Sequence, residues 1–252
     1  MALLKNYSFV GVALASLVAC GPSNSVTRVV SVPIKSDTYI VSGSEKSNGG
    51  DESLKVSTGA SAQKVALVSL PSSDGSISEQ SFTEAIVNAI FDGFFNSGCD
   101  SSKILKPQYL SDVTLVLTPL DETKAASAAQ ISIKPLARGW WQGATWTKAH
   151  PFLASGKWQS AGGDVMNGVT AVAGTTGTGS KTIEFAVKDL VTESTTIFEW
   201  GSVTALNGFR VEAASGTSID FHSAQSSWGE SYRPHLDFTY TGPCLPPDTN
   251  SF

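Results

Sequence analysis

Short segments in which apolar and polar residues alternate recur along most of the chain, and they constrain its fold more than any other feature. Alternation of this kind is typical of β-strands with one buried face. The segments are residues 37–42, 53–57, 112–118, 130–134, 182–187, 207–212, 218–222 and 234–240. Residues 64–70 are almost continuously apolar, which is typical of a central strand buried on both faces. Because strand follows strand without an intervening helix, the sequence predicts antiparallel pairing in an all-β protein, a jelly-roll β-sandwich.

One segment interrupts this pattern. Ser81 and Glu84 have the spacing of a helix capping box, and apolar residues then recur at i+4 intervals from Phe82 to Phe94. The sequence therefore predicts one amphipathic helix, inserted into the β-domain at about residues 79–111. Its apolar stripe needs a cover, and one face of the sheet would supply it most simply.

The N-terminus has the pattern of a bacterial lipoprotein precursor. Lys5 precedes an apolar run over residues 9–18 that is short for a membrane span, and Ala19 and Cys20 follow it. This lipobox predicts a signal peptide over residues 1–19 and a lipid on Cys20, whereas an ordinary secretory signal with an incidental cysteine is the alternative. We expect a tether over residues 20–35 and a folded domain over residues 36–252. Residues 26–34 alternate loosely and suit either a first strand or an extended linker.

The same pattern suggests a compartment. Gly21, rather than an aspartate, follows the lipidated cysteine, and in the enterobacterial sorting pattern this allows export to the outer membrane. The expected location is therefore the bacterial cell envelope, lipid-anchored at the outer membrane. In that oxidising setting the two remaining cysteines, Cys99 and Cys244, are expected to form a disulfide, with two buried free thiols as the alternative.

Residues 138–164 hold four of the chain's six tryptophans among glycines and hydroxyl residues. This composition predicts a long ordered connection at the rim of the sheet, pinned by large rings. Exposed aromatic rings can stack on sugar rings, and this role would suit Trp140, Trp141, Trp158 and Trp228. Such tryptophans can equally fill a core, which is the favoured interpretation for Trp146 and Trp200.

The charge of the chain disfavours nucleic acid as a partner. The net charge is −5, and removal of residues 1–19, which contain only Lys5, leaves 16 basic and 22 acidic side chains, or −6. A protein that neutralises phosphates needs the opposite balance. No cofactor motif is present.

No arrangement of nucleophile, base and metal ligands is recognisable, so the sequence predicts a protein that is not an enzyme. His222 and His235 fall in the last two strand segments and would make a site with Asp220 or Asp237 if those strands were neighbours. The alternative is that they form cross-strand polar pairs on a solvated face. A structural calcium ion is the one metal considered, with Asp37, Asp51 and Asp237 as its candidate ligands.

Several short motifs, in their order, resemble the DNRLRE domain, the group that includes carbohydrate-binding module family 96. They comprise the strand of Asp37, Thr38 and Tyr39, a glycine-rich loop leading to Leu54 and Val56, Thr145 with Trp146, Asn207 with Gly208, and a closing segment from Arg233 to Leu236. The resemblance covers most of residues 36–242 and implies a jelly roll that binds acidic polysaccharides. The chain departs from the pattern at Lys64, at Val68 with Ser69, and in the inserted helix.

Two functions follow from these features. The first is a lipid-anchored, surface-exposed, non-catalytic carbohydrate-binding module for a polysaccharide or an envelope glycan. The second is a structural or adhesive envelope lipoprotein with a protein partner, contacted through the inserted helix.

Overall fold

The computed structural model describes residues 25–34, 36–59, 62–69, 109–177, 179, 181–191 and 207–243. Three predictions from the sequence fall outside these residues and stay predictions. They are the lipidation of Cys20, the disulfide between Cys99 and Cys244, and the helix, whose expected range meets the described residues only at 109–111, where a strand begins. Trp200 also lies outside the described residues.

Within the described residues, twelve strands form two antiparallel sheets. The strands are β1 (Ser25–Pro33), β2 (Asp37–Val41), β3 (Ser53–Ser57), β4 (Lys64–Val68), β5 (Leu110–Leu117), β6 (Ile131–Pro135), β7 (Val172–Ala173), β8 (Thr175–Thr176), β9 (Ile183–Ala186), β10 (Phe209–Ala213), β11 (Ser218–His222) and β12 (His235–Pro243). A short helix α1 (Lys188–Val191) and 3-10 segments at Glu122–Gln130 and Glu230–Tyr232 complete the described elements. One sheet has the order β1-β12-β5-β9-β8, and the other has the order β11-β3-β4-β10-β6-β7, with β2 also paired to β4.

The two sheets enclose one hydrophobic core, so the all-β sandwich predicted from the sequence is confirmed. Alternate residues of each strand face this core because successive side chains of a strand point to opposite sides of the sheet. The five-stranded sheet contributes Val30, Val32, Leu115, Phe185 and Phe238, and the seven-stranded sheet contributes Tyr39, Val56, Ile133, Phe209 and Phe221. These side chains are almost completely removed from solvent, which is the main favourable term in folding.

The first strand decides between the two interpretations of residues 26–34. β1 pairs with β12 along its whole length, from Ser25 opposite Pro243 to Pro33 opposite His235. Ser25–Pro33, part of the segment expected to be a tether, therefore belongs to the folded domain. Its N-terminal end lies at the end of the sheet away from His235, about 26 Å along β12 at 3.3 Å per residue.

The tryptophan-rich segment covers a face of the sheet and does not lie at its rim as expected. Val65 and Leu67 of β4 point away from the main core, and Ile40 of β2 joins them. Residues 137–165 fold over this outer face and bury it in a second apolar cluster. The cluster consists of Ile40, Val65, Leu67, Leu136, Trp140, Ala144, Ala149 and Trp158, with Trp146 packed against it. β4 is consequently buried on both faces, as its continuous apolar sequence predicts.

The turn before β10 holds this layer in place. Gly208 has φ +84°, and a Cβ atom there would lie 2.1 Å from the carbonyl oxygen of Val68, so only glycine fits. The preceding residue, Asn207, donates from Nδ2 to the carbonyl of Leu136 at 3.3 Å and accepts at its own carbonyl from the indole of Trp140 at 3.0 Å. The turn thus joins the sheet to the covering segment.

Candidate functional site

Three aromatic side chains meet at one end of the sandwich. The ring centroids of His222 and Tyr232 are 5.1 Å apart, those of His222 and Trp228 are 5.6 Å apart, and those of Trp228 and Tyr232 are 6.2 Å apart. We call these three residues the Trp228 cluster. Trp228 is 70% exposed, whereas His222 beneath it is buried. An exposed indole supported from below by other rings is a flat apolar surface that is already ordered before any ligand arrives.

The loop between β11 and β12, residues 223–234, carries the cluster and is fixed at several points. Arg233 donates from Nε and Nη2 to the carbonyl of Ser226 at 3.0 and 2.9 Å. Ser223 donates from Oγ to the carbonyl of Asp51 at 2.8 Å, which ties the loop to the residues just before β3. Charge-assisted hydrogen bonds of the kind made by Arg233 are among the stronger ones in proteins. The position of Trp228 is therefore set by the scaffold.

His222 contributes to the cluster as a neutral ring. Its Nδ1 lies 3.0 Å from Oγ of Ser226, which is also buried. Burial lowers the pKa of His222, and the carboxylate of Glu122 opposes this only in part. Because the charged form is disfavoured, the imidazole is uncharged at neutral pH and packs as an aromatic surface.

Charged groups act on the less exposed members of the cluster. Lys181 forms a 3.0 Å ion pair with Glu122, and this carboxylate also acts on the pKa of His222. Ser227, the residue before the exposed tryptophan, donates from Oγ to Oε2 of Glu52 at 3.1 Å. These side chains offer both hydrogen-bond donors and acceptors, and the hydroxyl groups of a ligand can pair with either kind.

Asp37 fastens the same loop from within the protein. The side chain is 1% exposed, and its Oδ2 accepts from the backbone N–H of Ala224 at 2.7 Å. Its Oδ1 has no hydrogen-bond partner among the described residues. Burial, offset in part by the Ala224 hydrogen bond, raises the pKa of Asp37 to about 7. The carboxyl group is therefore largely protonated in mildly acidic solution.

The four candidate tryptophans fall into two groups. Trp228 and Trp141 are exposed, by 70% and 53%. Trp140 and Trp158 are each 6% exposed, and their indole nitrogens donate to the carbonyls of Asn207 and Thr145. The expectation that Trp140 and Trp158 offer a ring face to a ligand is wrong, because both belong to the second apolar cluster. Trp146 packs against that cluster, as expected.

Trp141 does not belong to the Trp228 cluster. Its ring meets Phe152 edge to face, with the centroids 6.4 Å apart. Two of the four candidate tryptophans are therefore exposed, and these two belong to different surfaces of the protein.

The two histidines considered for a shared site are separated. β11 and β12 belong to different sheets, so His222 and His235 are not on neighbouring strands. His235 instead lies with its Nε2 3.7 Å from Oδ1 of Asp237, a carboxylate that also accepts from Ser31 of β1. The alternative of cross-strand polar pairs holds for Ser31 and Asp237 but not for His222, which is buried in the Trp228 cluster.

The predicted calcium ligands do not converge either. Asp37 and Asp51 both contact the loop that follows β11, while Asp237 lies on β12 of the other sheet. Among the described residues, no three His, Cys, Asp or Glu side chains are grouped as a metal site would require. The three aspartates therefore do not form one calcium site.

Tyr232, Glu122 and Lys181 were not anticipated. Tyr232 had a usable signal, because it follows Trp228 by four residues in a loop rich in serine and glycine. Glu122 and Lys181 come from segments far apart in the chain, and only the tertiary fold brings them together.

Comparison of the chain with protein-family models and with curated proteins gives no match. In the described part of the chain, no helix has the length and apolar character required to span a bilayer.

Proposed function

We propose that this protein is a lipid-anchored, non-catalytic carbohydrate-binding module of the bacterial envelope, and that the Trp228 cluster binds the glycan. The observation that carries the proposal is an exposed indole that packs on His222 and Tyr232, with Glu122 close enough to act on the pKa of His222. Sugar rings present apolar C–H faces and hydroxyl edges. A flat aromatic surface with donors and acceptors beside it matches both features.

The direction in which the cluster faces supports the same function. Cys20, the proposed lipid attachment site, precedes the first strand by only five residues, which reach about 18 Å when fully extended. The strand begins at the end of the sheet away from His235, and the loop that carries Trp228 leads directly into His235. An anchor at Cys20 would therefore leave the Trp228 cluster pointing away from the outer membrane, towards polysaccharide.

We assign the sandwich to the jelly-roll type and, with it, to the DNRLRE group. Support comes from how often the chain crosses between the sheets: β1 to β2, β4 to β5, β5 to β6, β9 to β10 and β11 to β12 all change sheet. Such crossings are typical of Greek-key and jelly-roll connectivity. The alternative of an adhesive protein contacted through the inserted helix rests on residues outside the described part of the chain. No described contact favours it.

Replacement of Trp228 by alanine should weaken glycan binding by about 1–3 kcal/mol, by analogy with the stacking of bases on aromatic side chains. The free energy of unfolding should change little, because the ring is 70% exposed. A glycan array identifies the ligand, and calorimetric titration then measures its affinity for the wild type and for Trp228→Ala. Trp141→Ala is the matched control, and it should bind the glycan with the wild-type affinity. Equal loss in both variants, or no glycan bound by the wild type, contradicts the proposal.

Replacement of Cys20 by serine should release the protein from membranes, because a serine cannot carry the thioether-linked lipid. Fractionation of cells that express either form checks this. Mass spectrometry of the wild-type N-terminus should show a lipidated Cys20 as the first residue. A wild-type N-terminus without lipid would refute the anchor.

A further inference from the structure

Three of the large exposed apolar side chains lie together at the end of one turn. Phe152 is 83% exposed and Leu153 57% exposed, and Trp141 meets Phe152 edge to face. We call residues 149–156 together with Trp141 the apolar tip. Contiguous exposed apolar surface on a folded protein usually marks a binding site, because its solvation is costly.

The tip is a built structure with its own hydrogen bonds. The backbone N–H groups of Ala149 and His150 both donate to the carbonyl of Gly156, at 2.7 and 3.0 Å. Leu153 donates to the carbonyl of His150, and Gly156 donates to that of Leu153. A Cβ atom at Gly156 would lie 2.1 Å from the carbonyl oxygen of His150, so the turn closes tightly only with glycine there. Its end is therefore held outward by the backbone.

The neck of the turn is anchored in the protein. Lys148 and Lys157 pair across it, and the next residue, Trp158, is buried with its indole donating to the carbonyl of Thr145 at 2.9 Å. The protrusion thus stands on the second apolar cluster. It presents Phe152 and Leu153, followed by the exposed Ala154 and Ser155, to the surroundings.

The composition of the tip distinguishes it from the Trp228 cluster. No charged side chain lies within residues 149–156, and His150, the one titratable residue there, has its Nε2 3.1 Å from the carbonyl of Gly139. A glycan needs directional polar partners, and the charged side chains of Lys181 and Glu122 act on two residues of the Trp228 cluster, Tyr232 and His222. The tip offers chiefly hydrocarbon, which suits lipid better than sugar.

The segment that carries the tip has a net charge of the opposite sign to that of the rest of the chain. Residues 137–165 contain three basic side chains and one acidic side chain, a net charge of +2. Because the whole chain carries −5, the remaining residues carry −7. Arg138 and Asp164 pair with each other at 3.1 Å, which leaves Lys148 and Lys157 as the excess charge.

These two lysines face each other across the neck, and like charges in such positions repel. Glu45 lies near Lys148, and its carboxylate, which accepts from Oγ1 of Thr145 and Thr147 at 2.8 and 2.6 Å, stays charged and offsets part of the charge of Lys148. Neither lysine forms a salt bridge with any residue that the structure describes. A negatively charged partner would relieve the repulsion.

We propose that the apolar tip inserts into the interface of an anionic lipid bilayer. Trp141, Phe152 and Leu153 enter the boundary between head groups and acyl chains, while Lys148 and Lys157 meet the phosphates at the neck. The partner is a lipid surface and not a hydrophobic protein groove, because the two lysines lie at the neck of an apolar end that has no charged side chain of its own. This arrangement matches the layered chemistry of a bilayer interface. The contact is independent of glycan binding.

Quenching of tryptophan fluorescence tests the proposal on the full chain. The protein is bound to vesicles of phosphatidylcholine and phosphatidylglycerol whose acyl chains carry bromine near the head groups. The bound fraction of each variant is measured by co-sedimentation with the vesicles, so quenching per bound molecule reports where each indole lies. The wild type should be quenched, Trp141→Phe should lose most of that quenching, and Trp228→Phe should keep it.

Two further variants separate the apolar and the electrostatic parts. Phe152→Ser with Leu153→Ser should abolish the quenching, while Phe152→Leu should preserve it. Lys148→Gln with Lys157→Gln should weaken the contact on anionic vesicles about fivefold per lysine, and should have no effect on vesicles of phosphatidylcholine alone. Thermal unfolding and glycan titration of the variants at Trp141, Lys148, Phe152, Leu153 and Lys157 should match the wild type.

Quenching that is unchanged in Trp141→Phe overturns the proposal, as does a wild type that is unquenched while it stays on the vesicles. The latter result would assign the tip to a protein partner. Equal quenching on neutral and anionic vesicles would overturn the role of the lysines. Since glycan titration is read separately, failure of the tip proposal leaves the function of the Trp228 cluster untouched.

Discussion

Replacement of Trp158 by alanine should lower the free energy of unfolding by about 3–5 kcal/mol, the usual cost of removing a large buried ring. The side chain is 6% exposed and fills the space between the covering segment and the outer face of the seven-stranded sheet. Its removal leaves a cavity against Val65 and Leu67. It also leaves the carbonyl of Thr145 without its 2.9 Å donor, and an unsatisfied buried polar group adds to the loss.

Denaturant unfolding measures this effect, and Trp141→Ala supplies the matched control. Trp141 lies in the same segment but is 53% exposed, so its removal should change stability by less than about 0.5 kcal/mol. Trp158→Phe should fall between the two, because it keeps most of the apolar contact and loses the indole N–H. Similar losses in Trp158→Ala and Trp141→Ala would contradict the division into buried and exposed tryptophans.

The strands were the most predictable part of this protein. Residues 53–57 and 218–222 were expected as strands and are β3 (Ser53–Ser57) and β11 (Ser218–His222) without any shift of boundary. Their period of two is a local property, fixed by which side chains face the core. β7 (Val172–Ala173) and β8 (Thr175–Thr176) contain two residues each and are too short to show a period. Which strands become neighbours in a sheet depends on contacts between residues that are distant in sequence. These contacts place β11 and β12 in different sheets.

The tryptophans show that local sequence does not predict which large side chains are buried. Trp140 and Trp141 are adjacent and have the same glycine-rich surroundings, yet one is buried and the other exposed. The difference arises because the chain leaves β6, folds over Val65 and Leu67, and turns one indole onto them. This folding of the segment over the sheet depends on the apolar outer face of β4, which is distant in sequence. The continuous apolar run of β4 indicated such a second layer, since a strand buried on both faces needs one.

The Trp228 cluster was only half predictable for the same reason. Trp228 was identified by its residue type, and His222 by its place in a strand. Their contact with each other requires the loop to be pulled back by Asp37, Asp51 and Ser226. Irregular loops have no repeating period, so the sequence gives no measure of which of their side chains meet.

Asp37 should make the stability of the protein fall as the pH rises from about 4 to about 7. Its pKa is raised by burial from the usual 3.8 to about 7 in the folded protein, so within this window the folded state binds the proton that the unfolded state releases. The stabilisation is complete below pH 3.8 and is lost as the pH approaches 7. A pKa difference of about three corresponds to about 4 kcal/mol.

The Asp37→Asn variant should remove this dependence, because an amide does not titrate. The amide oxygen can still accept from Ala224, but the amide N–H groups at the position of Oδ1 need an acceptor, which costs about 1–3 kcal/mol at every pH. The decisive quantity is therefore the slope. The free energy of unfolding of the variant minus that of the wild type should increase by about 4 kcal/mol between pH 4 and pH 8, because only the wild type loses stability. Contributions from His222, whose lowered pKa has the opposite effect on the pH dependence, cancel in this difference. Parallel pH profiles for wild type and variant would mean that Asp37 does not titrate in this range, and its hydrogen bond to the loop of Trp228 would then be that of an ordinary ionised carboxylate.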